Sequence, residues 1–133
     1  MFPKDTKIII VDDMMTMRKL VRKTLLDLGY SVVTEASDGD KAWPEIQNAA
    51  AAKTPFQLII SDWNMPNLTG IELLKRVCTT ENLKNTPFIL LSAEGEKEKV
   101  SMAMEAGVNG YITKPFTGEA FSSKLAAVWT QTK

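Results

Sequence analysis

The feature that most constrains this chain is a repeated alternation of short apolar runs with helix-like segments. The runs are KIIIV (residues 7–11), SVVTEA (31–36), FQLII (56–60), PFILL (87–91) and GYIT (110–113), and each reads as a strand. Between the first two runs a helical period appears. Met17, Leu20, Val21, Leu25 and Leu28 share one face of a helix that Gly29 can end. Ile71, Leu74, Val77 and Cys78 repeat the pattern after the third run, and Phe121, Leu125 and Val128 after the fifth. A weaker face, Val100, Ala103, Met104 and Gly107, follows the fourth.

Such alternation predicts a parallel sheet covered on both faces, because parallel neighbours need crossovers and crossovers are usually helices. Continuous apolar runs such as IIIV and LII fit strands buried on both sides. The second helix is the irregular one. Asp38 and Gly39 can start it, but Pro44 lacks an amide hydrogen and clashes with the preceding turn, so a kink or a late start is expected. Helix formers then run to Lys53, with a break expected at Thr54 and Pro55.

A chain of 133 residues fits one domain, and a globule of that size buries about two-thirds of its unfolded surface. No second domain, repeat or long linker is evident, so residues 1–133 are expected to form a single domain with no output domain. Sixteen basic and sixteen acidic side chains cancel, which leaves no electrostatic basis for binding nucleic acid or a membrane surface. No apolar run approaches the roughly 20 residues needed to span a bilayer.

The single cysteine, Cys78, has no partner for an internal disulfide, and MFPKDTK is unlike a secretory signal, so a reducing, cytoplasmic setting is expected. There is no histidine. That excludes Ser-His-Asp and Cys-His catalysis and His-ligated zinc, leaving carboxylates, lysines and hydroxyls.

Those groups gather at strand ends. Ligands of open parallel sheets bind beyond the carboxyl ends of the strands, where the strand order reverses. If the order is 2-1-3-4-5, the reversal brings Asp12 and Asp13, after the first run, beside Asp62, after the third. Adjacent strands lie about 4.8 Å apart, so these carboxylates could reach one small ion. Three such groups repel one another unless a cation sits among them, and an all-oxygen donor set with an open side suits Mg²⁺.

The fourth run is followed by Ser92, and the fifth by Lys114. Lys114 lies two strands from Asp62, about 10 Å at strand spacing, within reach of a long side chain. A divalent ion, an ammonium and a hydroxyl around one carboxylate suit the equatorial oxygens of a phosphoryl group. Asp62 at the centre could act as a nucleophile and form an aspartyl phosphate.

VDDMMTMRKLVR, EASDG, SDWNMPNLTG, LLSAE and GYITKPF stand in an order and spacing that resemble the receiver domains of two-component response regulators. The match runs nearly end to end and is strongest to single-domain chemotaxis regulators of the CheY type. The resemblance implies a doubly wound, flavodoxin-like (βα)5 fold of order 2-1-3-4-5. It implies Asp62 as phosphoacceptor, with Asp12, Asp13, Asp62 and the backbone carbonyl of Asn64 holding Mg²⁺, Asp13 directly and Asp12 mainly through water.

By the same resemblance Ser92 contacts the phosphoryl group and Lys114 is its cationic partner. The Lys114–Pro115 peptide is commonly cis in the family. Tyr111 matches an aromatic that swings inward as the Ser92 hydroxyl moves toward the phosphate. Implied partners are a chemotaxis-type histidine kinase as donor, a flagellar-motor switch protein or other output protein, and a phosphatase, acting on a monomer through helix four, strand five and helix five.

The chain departs from CheY-type proteins at several places. Met14 stands where an aromatic is usual and Thr69 where an acid is usual, positions that bear on phosphatase contacts and phosphoryl lifetime. Extra residues fall around NAAAAKTP (48–55), and Gly95 and Glu96 replace a small residue and a lysine of the motor-binding regulators. A phosphorelay intermediate with a non-motor target is the alternative. An aspartyl-phosphate phosphohydrolase would typically place Asp-x-Asp on one strand end, and an FMN binder would want a Ser, Thr and Gly-rich loop after strand one. This chain has neither.

Overall fold

In a computed structural model, residues 1–93 and 97–132 are described. The elements are β1 (Ile8–Val11), α1 (Met15–Asp27), β2 (Val33–Ala36), α2 (Gly39–Ala51), β3 (Leu58–Asp62), α3 (Gly70–Thr79), β4 (Phe88–Ser92), α4 (Lys97–Glu105), β5 (Gly110–Thr113) and α5 (Gly118–Thr132). The strands form one parallel sheet of order β2-β1-β3-β4-β5. This is the predicted doubly wound, flavodoxin-like topology, with its reversal between β1 and β3.

Alternate side chains of the central strands feed two apolar layers. Ile9, Val11, Ile59, Phe88 and Leu90 pack on one face with Ala42 and Ile46 of α2, Leu73, Leu74 and Val77 of α3, and Ala103 of α4. Ile8, Ile10, Leu58, Ile60, Ile89, Leu91 and Ile112 pack on the other with Val21 and Leu25 of α1 and Phe121, Leu125 and Val128 of α5. The runs that read as buried on both faces are so: β1, β3 and β4 are buried throughout.

Several expected bounds move. β2 begins at Val33 rather than Ser31, because its ladder opens with Val33 opposite Ile8. β3 and β4 run two and one residues further than their apolar runs suggested, so that Asp62 pairs with Leu91 and Ser92 with Thr113. Asp62 and Ser92 are thus the last residues of their strands. In α1, Val21 and Leu25 are buried, but Leu20 is 46% exposed. The α4 face is narrower still: Ala103 is buried, Val100 is partly covered, Met104 is 60% exposed and Gly107 lies beyond the helix. Cys78 is half-buried against the core.

Gly29 ends α1 as expected. At φ +98° it takes the left-handed conformation, its N–H bonding the Leu26 carbonyl at 2.9 Å while Tyr30 N–H bonds that of Leu25 at 2.9 Å. For α2 the start offered by Asp38 and Gly39 is met, whereas the late start is not and the end comes earlier than expected. It starts at Gly39 with Asp38 capping the Lys41 N–H at 2.9 Å, and runs through Pro44. Pro44 is exposed, and the carbonyl deprived of its N–H is that of Asp40, also exposed, so water can satisfy it. The helix ends at Ala51, two residues before Lys53, which itself turns the chain at φ +65°. The extra residues at 48–55 therefore lie where β3 begins, at the pole away from the strand carboxyl ends.

Glu94, Gly95 and Glu96, which include a departure from the motor-binding pattern, lie outside the described residues. Thr69, where the family usually has an acid, caps α3: its hydroxyl accepts from Glu72 N–H at 3.3 Å and Glu72 Oε1 accepts from Thr69 N–H at 3.0 Å.

Candidate functional site

β1 ends at Val11, and the chain leaves the sheet through Asp12 and Asp13. β3 delivers Asp62 alongside, and the three carboxylates each offer an oxygen within 4.8 Å of the others. Asp12 is 1% and Asp62 5% exposed, whereas Asp13 faces solvent. Asp12 Oδ1 accepts the Met14 N–H at 2.9 Å, which shapes the turn into α1.

From the end of β5, Lys114 crosses to the same point. Its Nζ lies 2.8 Å from Asp62 Oδ1 and 3.4 Å from Asp12 Oδ2. The Lys114–Pro115 peptide is cis, and Lys114 N–H bonds the Ser92 carbonyl at 2.7 Å, tying the β5 exit to the end of β4. Ser92 is fully buried one strand from Asp62. Burial pushes the Asp62 carboxyl above its usual range; the hydrogen bond from Lys114 opposes this and the Asp12 charge adds to it.

Asp62 is held from behind by a close approach of backbone. Gly70 N–H bonds the Trp63 carbonyl at 2.9 Å, and a Cβ on Gly70 would overlap the carbonyl oxygen of Asp62. Only glycine allows α3 to start there.

The sequence therefore placed Asp12, Asp13, Asp62, Ser92 and Lys114 correctly at one end of the sheet. Asn64 follows in the β3–α3 connection and is exposed. Tyr111 is half-buried and stands edge-on to Trp63, ring centroids 6.4 Å apart, with Lys99 Nζ 5.7 Å from the centroid of the same indole. Trp63, the residue after Asp62, links it to α4 and β5. Met14 and Met15 are exposed at the rim, as an irregular apolar surface would be, and Met17 packs partly against the core.

Sequence reasoning missed Arg18. Its NH1 donates to the Asp12 carbonyl at 2.7 Å while its Nε lies 3.3 Å from Glu35 Oε1 on β2. Its position on the first turns of α1 was legible, but a partner on another strand was not.

Three carboxylates beside an ammonium make an oxygen-only donor set of the kind hard cations take. Among the described residues no helix is long and apolar enough to cross a membrane.

Comparison with known proteins agrees with this geometry. Residues 8–126 match the family described as the response regulator receiver domain. The chain is 43% identical over 126 residues to the chemotaxis protein CheY-3 of Vibrio cholerae, covering 95% of this chain and 93% of that protein. It is 40% identical over 123 residues to the chemotaxis protein CheY of Pseudomonas aeruginosa, covering 92% and 95%. Among solved structures, the chemotaxis protein CheY4 of Vibrio cholerae matches with a TM-score of 0.82 at 37% identity, over 93% of this chain and 98% of that one. The receiver domain of a signal transduction histidine kinase from Syntrophus aciditrophicus matches with a TM-score of 0.80 at 26% identity, over 96% and 92%. With the family match spanning most of its length, the chain belongs to the response regulator receiver domain family, phosphorylation-activated switches rather than classical enzymes, and is homologous to the CheY chemotaxis proteins.

Proposed function

We propose that Asp62 accepts a phosphoryl group from the phosphohistidine of a partner kinase and that the added charge changes which proteins this chain binds. The observation that carries the reading is the convergence on Asp62, at the end of a central strand, of two further carboxylates and an ammonium 2.8 Å away. An Asp62 oxygen attacks phosphorus as the P–N bond breaks, and the histidine nitrogen leaves with the bonding pair. Water later attacks the phosphorus, releasing inorganic phosphate and restoring the carboxylate. In this reading the chain assists both its own phosphorylation and its dephosphorylation.

Lys114 holds one positive charge against the site, first on the carboxylate and then on the incoming oxygens. Ser92 supplies a hydroxyl to the phosphoryl group. Mg²⁺ suits the donors: they are all oxygen, they lie within 4.8 Å of one another, and exposed Asp13 leaves room for coordinated waters. Asp12, Asp13, Asp62 and the Asn64 backbone carbonyl would hold the ion, Asp13 directly. Both Asp12 oxygens already face donors, Met14 N–H and Lys114 Nζ, which agrees with contact through water. Bound there, the ion would offset the carboxylate repulsion and the phosphoryl charge.

Ser92 and Tyr111 form the switch in this reading, with Tyr111 against the indole that follows Asp62. Residues 1–133 act as a monomeric cytoplasmic receiver domain, signalling by protein contact through α4, β5 and α5. The relatives named as chemotaxis proteins support a chemotaxis kinase as donor, a flagellar-motor switch protein as target and a phosphatase as a further partner. Gly95 and Glu96 favour, as a second reading, a non-motor target in a phosphorelay.

The test is intact mass after incubation with acetyl phosphate and Mg²⁺. Wild type should gain one hydroxylamine-labile phosphoryl group and Asp62→Asn none. An equal adduct on both, or none on wild type, overturns the assignment. Steady turnover of many phosphomonoesters would favour a hydrolase instead.

A further inference from the structure

The β1–α1 connection carries two of the three clustered carboxylates, and it holds them differently. The Asp12 carboxylate is buried and engaged on both oxygens, by Met14 N–H at 2.9 Å and Lys114 Nζ at 3.4 Å. The Asp13 carboxylate is exposed, and none of the hydrogen bonds or ion pairs among the described residues reaches it. With no side-chain partner among the described residues, its Cα–Cβ bond is what the protein places, through its backbone and first through the rigid peptide plane that joins it to Asp12.

The oxygen of that plane has a strong partner. Arg18 NH1 donates to the Asp12 carbonyl at 2.7 Å. The guanidinium is itself fixed, with its side chain 15% exposed and its Nε 3.3 Å from Glu35 Oε1 on β2. Arg22 NH1 takes the other Glu35 oxygen at 2.8 Å. One planar, forked group thus ties the Asp12–Asp13 peptide to the neighbouring strand, a task a single-point ammonium cannot reproduce.

We propose that Arg18 is a positioning residue for a divalent-cation site: by holding the Asp12 carbonyl it turns the Asp13 carboxylate toward Asp12 and Asp62. The inference rests on the reading of those three residues as a cation site. Arg18 touches neither the ion nor the phosphoryl group; it acts through Asp13.

Charge and positioning predict opposite signs. A guanidinium near a cation site repels the ion, so removing the charge alone tightens binding. Releasing the peptide weakens it, because Asp13 must then be ordered when the ion arrives.

The experiment is isothermal titration calorimetry with Mg²⁺ alone on wild type, Arg18→Gln, Arg18→Lys, Glu35→Gln, Arg22→Gln and Asp13→Asn. Circular dichroism and thermal unfolding in EDTA establish which variants are folded. Arg18→Gln is expected to bind Mg²⁺ on the order of tenfold more weakly, as when a group that orients a metal ligand is lost. Arg18→Lys, which keeps the charge and loses the fork, should also bind more weakly, and Arg22→Gln should stay near wild type.

Unchanged or tighter binding by folded Arg18→Gln overturns the inference, as does a lowered melting temperature with Mg²⁺ affinity intact. Should Arg18→Gln fail to fold, Arg18→Lys and Glu35→Gln decide by the same criterion. A wild type that binds no Mg²⁺, or an Asp13→Asn that binds it equally well, overturns the cation-site reading itself. Arg18 results measured against a binding wild type speak only to positioning.

Discussion

Lys114 Nζ sits 2.8 Å from Asp62 Oδ1 and 3.4 Å from Asp12 Oδ2, so one ammonium from the end of β5 separates two buried carboxylates from the ends of β3 and β1. Its side chain is 11% exposed, and both partners are more buried still. The contact stabilises less by attraction than by preventing an uncompensated pair of negative charges, because breaking a buried pair costs about 3–5 kcal/mol.

Lys114→Met should therefore lower the stability of the metal-free protein by roughly 3 kcal/mol. Mg²⁺ should restore more stability to this variant than it adds to wild type, since it meets repulsion that lysine no longer relieves. Urea unfolding with and without Mg²⁺ measures both. Equal gains from Mg²⁺ would show that Lys114 does not share the charge of the site.

Asp62→Asn should be more stable than wild type at pH 7 without metal. Burial raises the Asp62 pKa in the folded state, more than the Lys114 hydrogen bond lowers it. A raised carboxyl pKa contributes stability below the unfolded value, about 3.9, and loses it as pH rises through the folded value. Wild type thus loses this contribution on going to neutral pH, and the asparagine variant has no such charge to lose. Its advantage should shrink as pH falls toward 4. An advantage that grows in acid would contradict the burial effect.

Gly70→Ala should damage the site rather than only the helix it begins. The new Cβ would meet the Asp62 carbonyl oxygen and lie 2.9 Å from Leu90 Cδ2, both belonging to the sheet. Overpacking of this kind costs about 1–3 kcal/mol, and moving α3 outward also shifts Asp62. Loss of stability together with slower labelling by acetyl phosphate is expected. Loss of stability with labelling unchanged would mean that α3 alone absorbs the strain.

Pro44→Ala should stabilise α2, because an interior proline costs a helix about 3 kcal/mol, offset by up to about 1 kcal/mol from the stiffer unfolded chain. A net gain of about 2 kcal/mol is expected from chemical denaturation. No gain would show that the exposed segment near Asp40 and Pro44 already tolerates the missing hydrogen bond.

The amino-acid sequence by itself determined the class of fold and the end of the sheet where the chemistry lies. Periods of two and near four are local properties of the chain, and IIIV and LII announce strands dry on both faces. Once such strands run parallel, the polar residues that follow them share one edge, so Asp12, Asp13, Asp62, Ser92 and Lys114 could be gathered without coordinates. Only the tertiary structure decided which of them touch and which apolar faces are covered. Leu20 and Met104 carry the helical period yet stay exposed, because burial depends on what lies opposite and not on spacing. Lys114 reaching two carboxylates, Trp63 meeting Tyr111, and Arg18 joining β2 to the Asp12 carbonyl are contacts between distant segments. Periodicity says which way a side chain faces; the packing of one element on another sets its partner.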